Sequence, residues 1–463
     1  MGRPAATGEV RPMRALRSLI LVLAVSVLVG NALRAEGTAA APPSEAGAPA
    51  AAAASAPATP APAVSNPADF DVEAATRAYL SRVSPADKER SDSYFEGGYW
   101  LQLWSFLYGL GVAWLLLSRG ISARLRDAVE RVSGIRAIQT FLYAAGYFLA
   151  VALLTLPLTI YQDYWREHSY SLSNMTFSGW FRDAAVGLGV SVILGGLFVV
   201  LLYWVFRKAP RTWWMWGTAV SVVGLVFIAL ISPVFIAPLF NKYKPLGEGP
   251  IKADILSLAR ANGIPADNVY EVDASKQSKR VSANVSGLGS TLRITLNDNL
   301  LARVKPDGIQ AVMGHEMGHY VLNHVYEFIP AFALIILVGF GFLRWSFDRV
   351  VRSHGTRWGI RGISDPAGLP LLAALLSVYF FVLTPIINTE VRTNEAEADI
   401  FGLNASRQPD GFAEVALLLG EYRKLEPTPL EEWIFFDHPS GRSRIHMAMQ
   451  WKKEHLKDLA AGR

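Results

Sequence analysis

Apolar residues along this chain are concentrated in a few long runs that alternate with polar segments. Six runs are nearly free of formal charge and are roughly 20 residues long, the length of a helix that crosses a bilayer. The polar segments about Asn241–Glu327 and Asn388–Arg463 would together form a soluble domain. We predict membrane spans near Trp100–Leu117, Phe141–Ile160, Val186–Phe206, Trp216–Phe240, Phe328–Phe347 and Leu369–Ile387.

The first soluble segment carries shorter patterns. Residues Ile251 to Ala261 have the apolar spacing of a helix, and Asn262-Gly263 would end it. Three stretches have the character of strands, with Gly287 and Gly289 marking a hairpin turn. These stretches are Asn268–Val272, Val281–Val285 and Leu292–Leu296. The pattern favours a mainly α, multi-pass transmembrane helical protein with a small α/β domain.

The N-terminal residues differ from the rest of the chain. Several Arg precede the apolar stretch Leu19–Val29, which has the length of an export signal, and an uncleaved anchor is the alternative. The Ala- and Pro-rich residues that follow cannot bury enough apolar surface to fold, which predicts a flexible linker. The predicted organisation is 1–35 signal or anchor, 36–68 linker, 69–240 four spans, and 241–463 a domain with two further spans.

Composition narrows the possible functions. The chain is 51% hydrophobic and only 18% charged, a balance that indicates the lipid bilayer as its environment. Its net charge of +5 comes from clusters beside apolar runs, so we expect no nucleic-acid partner. The absence of Cys excludes disulfides and thiolate catalysis, and any metal must be held by His and carboxylates.

Basic residues are unevenly shared between the two sides of the predicted membrane. Lys and Arg in short loops are retained in the cytoplasm. Three loops on one side are basic, and the short loop opposite contains only Arg166 and Arg182. We therefore expect the active site to face the periplasm of a bacterial inner membrane. The basic residues are Arg119, Arg124, Arg126, Arg131, Arg136, Arg207, Lys208, Arg211, Arg349, Arg352, Arg357 and Arg361.

The sequence His315-Glu316-Met317-Gly318-His319 lies in a helix-like run. Residues four apart share one helical face, so both imidazoles can reach a single ion. A catalytic zinc needs a third protein ligand and an open position for water, and an adjacent carboxylate can take the proton of that water. Glu316 suits this role, and a purely structural His pair is the alternative.

The third ligand is not a His in the usual downstream position, because Val325 stands there and His324 is one residue early. The acidic run after the sixth span offers a carboxylate instead. On a helix, Glu395 and Asp399 face the same way and Glu397 points elsewhere. One acid would bind the metal and the other would hold a ligand His. A solvated acidic face is the alternative.

These motifs and their membrane context resemble the type-one CAAX prenyl protease family of integral-membrane zinc metalloendopeptidases, from about Ser93 to the C-terminus. The resemblance implies that residues 241–463 form a gluzincin-type zinc metalloprotease domain with one Zn²⁺ per chain. The matching segments are Tyr94–Gly98, Ile236–Tyr243, Arg293–Leu296, Gly314–His319 and Glu395–Asp399.

The resemblance also implies roles for single residues. Glu395 would be the third zinc ligand, and Asp399 would support a metal-binding His. His438 and Arg444 match a family His-Pro-Pro segment and its following Arg, so His438 would help stabilise the oxyanion, a surface His being the alternative. Arg392 would have a structuring or substrate-facing role, although Val391 replaces a family Ser and a membrane-flanking charge is the alternative.

Substrate binding in the family uses an edge strand that pairs with an extended peptide. The residues Ser282, Ala283 and Asn284 occupy that place here, and an ordinary hairpin strand is the alternative. The family usually has Asn where this chain has Ser282, which leaves only the backbone role intact.

The function predicted from these observations is a membrane-embedded zinc metalloendopeptidase that cleaves peptides or membrane proteins through zinc-bound water, with Glu316 as general base. Trimming of prenylated proteins need not transfer, because substrates differ among proteins of one fold. A general quality-control protease is a second enzymatic possibility. A non-hydrolytic scaffold or transporter with a structural His/Glu site is the alternative outside enzymes.

Overall fold

The computed structural model describes residues 67–286 and 292–461. The predicted export signal and nearly all of the predicted linker lie outside these residues, as do Gly287 and Gly289. Six helical segments of the described chain are long and apolar enough to cross a membrane, which confirms the predicted fold class. They are Pro85–Ser118, Arg136–Ser169, Phe177–Lys208, Trp213–Leu239, His324–Trp358 and Pro366–Ser406.

Helices account for most of the described chain. Those of the first half are α1 Val72–Leu80, α2 Pro85–Ser118, α3 Ile121–Val132, α4 Arg136–Ile160, α5 Phe177–Val190, α6 Gly196–Lys208 and α7 Trp213–Ile231. Those of the second half are α8 Pro250–Ala261, α9 Asp298–Arg303, α10 Pro306–Val321, α11 His324–Trp358, α12 Leu369–Ser406, α13 Pro409–Leu419, α14 Pro429–Phe435, α15 Gly441–Glu454 and α16 Leu456–Ala460. Wider π-helical turns continue α4, α5 and α7 at Tyr161–Arg166, Ser191–Gly195 and Ser232–Ile236.

Helix boundaries follow local sequence signals. Helix α2 begins with Pro85 at its first position, and the preceding Ser84 accepts a hydrogen bond from the Asp87 backbone N–H. Helix α12 continues well past the predicted span Leu369–Ile387 to Ser406. The acidic residues of the predicted metal site therefore lie on the same continuous helix as the sixth span.

A four-stranded mixed sheet forms the small α/β region. Its strands are β1 Tyr243–Pro245, β2 Val269–Val272, β3 Ala283–Ser286 and β4 Arg293–Asn297, in the order β1-β2-β4-β3. Strands β2 and β4 are parallel, and the outer strands pair antiparallel. The predicted helix and the three predicted strands are confirmed within two residues, whereas β1 was not predicted. Strand β3 is an edge strand beside α10.

The basic loops come together on one side of the bundle. Arg126 forms a buried ion pair of 2.6 Å with Asp365, and Arg361 forms an exposed ion pair of 2.6 Å with Glu130. At the other end, the Asn174 backbone N–H donates to the Gln277 carbonyl in the soluble region. The structure thus separates the basic loops from the α/β region.

Candidate metal centre

Helices α10 and α12 cross at glycine residues, where no side chain separates the two backbones. A Cβ added at Gly402 would lie 2.6 Å from the His315 backbone nitrogen, and one at Gly314 would lie 2.9 Å from the Gly402 carbonyl oxygen. Gly318 faces Ala398 in the same way, with a Cβ at 3.2 Å from its Cα. Because the two backbones approach this closely, His and Glu side chains from the two helices can reach one point.

Three potential ligands meet beside this crossing. His315, His319 and Glu395 each offer one ligand atom, and these atoms lie within 4.8 Å of one another. The two Nε2 atoms are 3.2 Å apart. The Glu395 carboxylate oxygens lie 3.2 Å from the His315 Nε2 and 3.5 Å from the His319 Nε2.

The donor set fits a catalytic zinc ion. Two imidazole nitrogens and one carboxylate oxygen are zinc's usual ligands where a fourth position stays open. The Glu395 Oε2 atom is buried. The Nε2 atoms of His315 and His438 lie 3.2 Å from it without the geometry of a hydrogen bond, so a cation would satisfy it. The opposite ring nitrogen of each His is already engaged, which leaves both Nε2 lone pairs directed at the same point.

His315 is held by a buried acidic partner. Its Nδ1 lies 2.7 Å from an oxygen of Asp399, which is fully buried. Arg444 donates to both oxygens of Asp399, at 2.9 and 2.5 Å. Burial lowers the pKa of His315, but the carboxylates of Asp399 and Glu395 outweigh burial and raise it to about 10. The same two carboxylates favour a positive charge at His315, whether it is a proton or a metal cation.

His319 has a different partner. Its Nδ1 lies 2.9 Å from the Nδ1 of His324, the first residue of α11. The outer His324 Nε2 is 3.7 Å from a Glu397 oxygen. Burial lowers the pKa of His319 to about 4, so its imidazole is neutral, as a ligand must be. Sequence reasoning set aside both His324 and Glu397, whose contacts depend on the packing of α11 against α12.

Glu316 follows His315 on α10 and faces a cavity of about 210 Å³. Burial raises the pKa of its carboxyl to about 7. Ser282, Ala283, His438 and Arg444 also line this cavity. A carboxyl whose pKa lies near neutrality can both accept and return a proton.

His438 lies at the edge of the metal centre. Its Nε2 is 3.2 Å from a Glu395 oxygen, and its Nδ1 is 2.8 Å from an oxygen of Asp437. Arg392 does not line the cavity. It donates at 2.7 Å to the Glu432 carbonyl and also to the Phe436 carbonyl, so it holds the chain segment that leads to His438.

The predicted substrate strand lies along the cavity. Ser282 precedes β3, and its backbone N–H donates to the Asn297 side-chain oxygen at 3.1 Å. Ala283 faces the cavity, whereas the Asn284 side chain is exposed and does not line it. A contact between substrate and the Asn284 side chain is therefore unsupported. The Asn284 backbone pairs with Thr295 of β4, so the backbone groups at the free edge of the sheet are those of Ala283 and Val285.

A second cavity of about 470 Å³ adjoins the first. Aromatic residues of α2 and of the chain around α14 line it, together with five basic residues. These basic residues are Arg166, Arg280, Arg423, Lys424 and Arg444. Sequence reasoning predicted only Arg444, because the others come from separate segments that carry no motif.

Two protein-family models match consecutive parts of the chain. Residues 245–452 match the family model described as Peptidase family M48. Residues 73–242 match the model described as CAAX prenyl protease N-terminal, five membrane helices, and the described part of that range holds four candidate spans.

Individual relatives cover most of the chain. The uncharacterized metalloprotease YhfN of Bacillus subtilis is 32% identical over 74% of this chain and 82% of its own length. The CAAX prenyl protease 1 homolog of Arabidopsis thaliana is 32% identical over 66% and 73%. The crystal structure of S. mikatae Ste24p superimposes with a TM-score of 0.68, covering 79% of this chain and 90% of that chain at 23% identity, which shows a shared fold.

Proposed function

The chain belongs to peptidase family M48, with the CAAX prenyl protease 1 homologues, and on that premise we propose that it is a zinc endopeptidase with Glu316 as its general base. It is a multi-pass membrane metalloprotease. The observation that carries the proposed zinc mechanism is a geometric one. The ligand atoms of His315, His319 and Glu395 lie within 4.8 Å of one another, beside the cavity that Glu316 faces.

Each residue has a separate task in the proposed reaction. Zinc, when bound, supplies a Lewis acid that makes water a nucleophile near neutral pH. Glu316 accepts the proton of the attacking water and returns it to the leaving amine. Asp399 orients His315, and Arg444 keeps the Asp399 carboxylate ionised in its buried position. His438 donates from Nε2 to the developing oxyanion while Asp437 holds its Nδ1–H.

Substrate is bound through the backbone of β3. Its free edge offers hydrogen bonds to an extended peptide irrespective of the peptide's sequence. Ala283 lines the same cavity as His315 and Glu316, so a peptide added to this edge passes the metal centre. The proposed substrates are peptides or membrane proteins.

The active site is proposed to face the periplasm across a bacterial inner membrane. Support comes from the basic loops, which cluster through the Arg126–Asp365 and Arg361–Glu130 ion pairs at the end of the bundle away from the α/β region. Lys and Arg in short loops favour the cytoplasmic side, so the metal centre would be outside.

The deciding experiment combines zinc content with cleavage. Purified wild type is expected to contain one zinc per chain and to cleave peptides from a random library. His315→Ala is expected to lose zinc and activity. Glu316→Gln is expected to keep zinc and to lose several orders of magnitude in kcat. A Glu316→Gln variant that cleaves at the wild-type rate would exclude this mechanism and favour a structural site.

A further inference from the structure

The two cavities beside the metal centre share a wall that contains Arg423. This residue lies in the turn after α13. Its backbone N–H donates to the Leu419 carbonyl at 3.0 Å, and its own carbonyl accepts from the Ser91 hydroxyl of α2 at 3.3 Å. Hydrogen bonds to α13 and to the membrane helix α2 therefore fix the backbone of Arg423, and with it the position of its Cα atom.

Four other basic side chains of these cavities have protein partners. Arg280 pairs with Glu167 at 2.7 Å, and Arg444 pairs with Asp399 at 2.5 Å. Lys424 lies 2.6 Å from Glu96 and 2.8 Å from Glu431. Arg166 donates to the Tyr94 carbonyl and lies over the Tyr94 ring, with 4.0 Å to its centroid. These four side chains therefore stabilise the fold through contacts within the protein.

Arg423 differs from them. Across residues 67–286 and 292–461, its guanidinium makes no hydrogen bond, and no carboxylate lies within the 4.0 Å of an ion pair. The charge of the neighbouring Asp437 also interacts with Arg423, but its carboxylate is engaged directly by His438 at 2.8 Å. Arg423 is also half-buried, so water screens its charge only partly. A partly desolvated cation without a direct ion pair is stabilised by a ligand that supplies a carboxylate.

The geometry points to a carboxylate of the substrate as that counterion: we infer that Arg423 is a specificity-determining residue that binds an acidic side chain or the C-terminal carboxylate of the peptide. A planar guanidinium matches a carboxylate with two parallel hydrogen bonds. Arg423 lines the same cavity as Ala283 and Glu316, so a peptide on β3 brings its chain past this guanidinium. The inference rests on the proposed peptidase function.

The test uses two random decapeptide libraries of the same sequences, one with free C-terminal carboxylates and one with C-terminal amides. Zinc-loaded full-length protein in detergent is incubated with each, and the products are sequenced by mass spectrometry. Preference for the free-acid library identifies a terminal carboxylate. Preference for Asp or Glu at a fixed distance from the cleaved bond, in both libraries, identifies a side chain.

Wild type is expected to prefer the carboxylate-bearing peptides about tenfold or more in kcat/KM, mainly through KM. Arg423→Gln is expected to lose this preference and to keep cleaving neutral peptides, whereas Arg423→Lys keeps part of it. Arg260→Gln is the matched control, because Arg260 is an exposed residue of α8 outside both cavities, and it is expected to behave as wild type.

The possible failures are distinguishable. Cleavage by wild type without any preference for carboxylates overturns the inference alone, as does an unchanged preference in Arg423→Gln. If Arg423→Gln fails to fold, as judged by gel filtration, the Arg423→Lys variant decides, because a preference equal to that of wild type then excludes a bidentate contact. Cleavage of neither library by zinc-loaded wild type overturns the proposed peptidase function and the inference with it.

Discussion

The Nδ1 atoms of His319 and His324 lie 2.9 Å apart. Only one of the two nitrogens can carry the hydrogen in a bond between neutral imidazoles. If the Nε2 of His319 is a metal ligand, its hydrogen must reside on Nδ1, and His324 must accept it. The outer His324 Nε2 then carries a hydrogen directed towards Glu397, 3.7 Å away. In the proposed zinc site, His324 would thus select the tautomer of His319 that can bind metal, much as Asp399 would for His315.

Removing His324 should weaken zinc binding. Replacement of His324 by Ala removes the acceptor for the His319 Nδ1–H, and we expect a loss of about 10–100-fold in zinc affinity, measured by competition with a chromophoric chelator. His324→Gln retains an acceptor oxygen and is expected to recover part of the affinity. His446→Ala is the control, since that side chain is half exposed on α15 away from the centre. Equal affinities for His324→Ala and wild type would rule out the positioning role.

Gly402 should not tolerate a side chain. An Ala Cβ there would lie 2.6 Å from the His315 nitrogen and 2.9 Å from its Cα, so α10 and α12 must separate. We expect a loss of about 2–4 kcal/mol in stability and a lower zinc content. Gly341→Ala is the matched control within a helix, because its Cβ meets nothing within 4 Å. Thermal unfolding in detergent checks both, and a Gly402→Ala protein as stable as Gly341→Ala would contradict the close crossing.

Local periodicity was enough to predict the parts of the site that lie on one helix. The four-residue spacing of His315 and His319 predicts a shared point, and the structure places their Nε2 atoms 3.2 Å apart. The same periodicity separates Glu395 and Asp399 from Glu397, and the structure directs the first two towards His315. Membrane spans were likewise predictable, because apolar length alone defines them.

Features that depend on how distant segments pack were not predictable. Strand β1, Tyr243–Pro245, has three residues and contains Pro, so it shows no strand pattern. The contact of His324 with His319 requires the left-handed residue Asn323 between α10 and α11. Arg423 carries no motif at all, and its lack of a direct ion pair is apparent only beside the paired basic residues around it.

Loss of Arg444 should destabilise the protein through Asp399. Arg444→Gln leaves a fully buried carboxylate with His315 as its one remaining side-chain partner in the described part of the chain, and we expect a loss of about 3–5 kcal/mol in stability. Combining it with Asp399→Asn removes the unpaired charge, so the double variant should lose less than the sum of the two single variants. Unfolding in detergent measures all four proteins. Additive losses would mean that the pair makes no net electrostatic contribution.

The chain contains no Cys, so single Cys substitutions can report sidedness without a background. Arg352→Cys places a thiol on an exposed residue of the basic-loop side, and Asn284→Cys places one on the exposed face of β3. If the metal centre faces the periplasm, a membrane-impermeant maleimide should label Asn284→Cys in spheroplasts and Arg352→Cys only in inside-out vesicles. Labelling of Arg352→Cys in intact spheroplasts, with Asn284→Cys protected, would put the catalytic side in the cytoplasm. The basic loops would then fail as a guide to orientation, while the metal centre and its chemistry would be unaffected, because the ligand geometry does not depend on which compartment it faces.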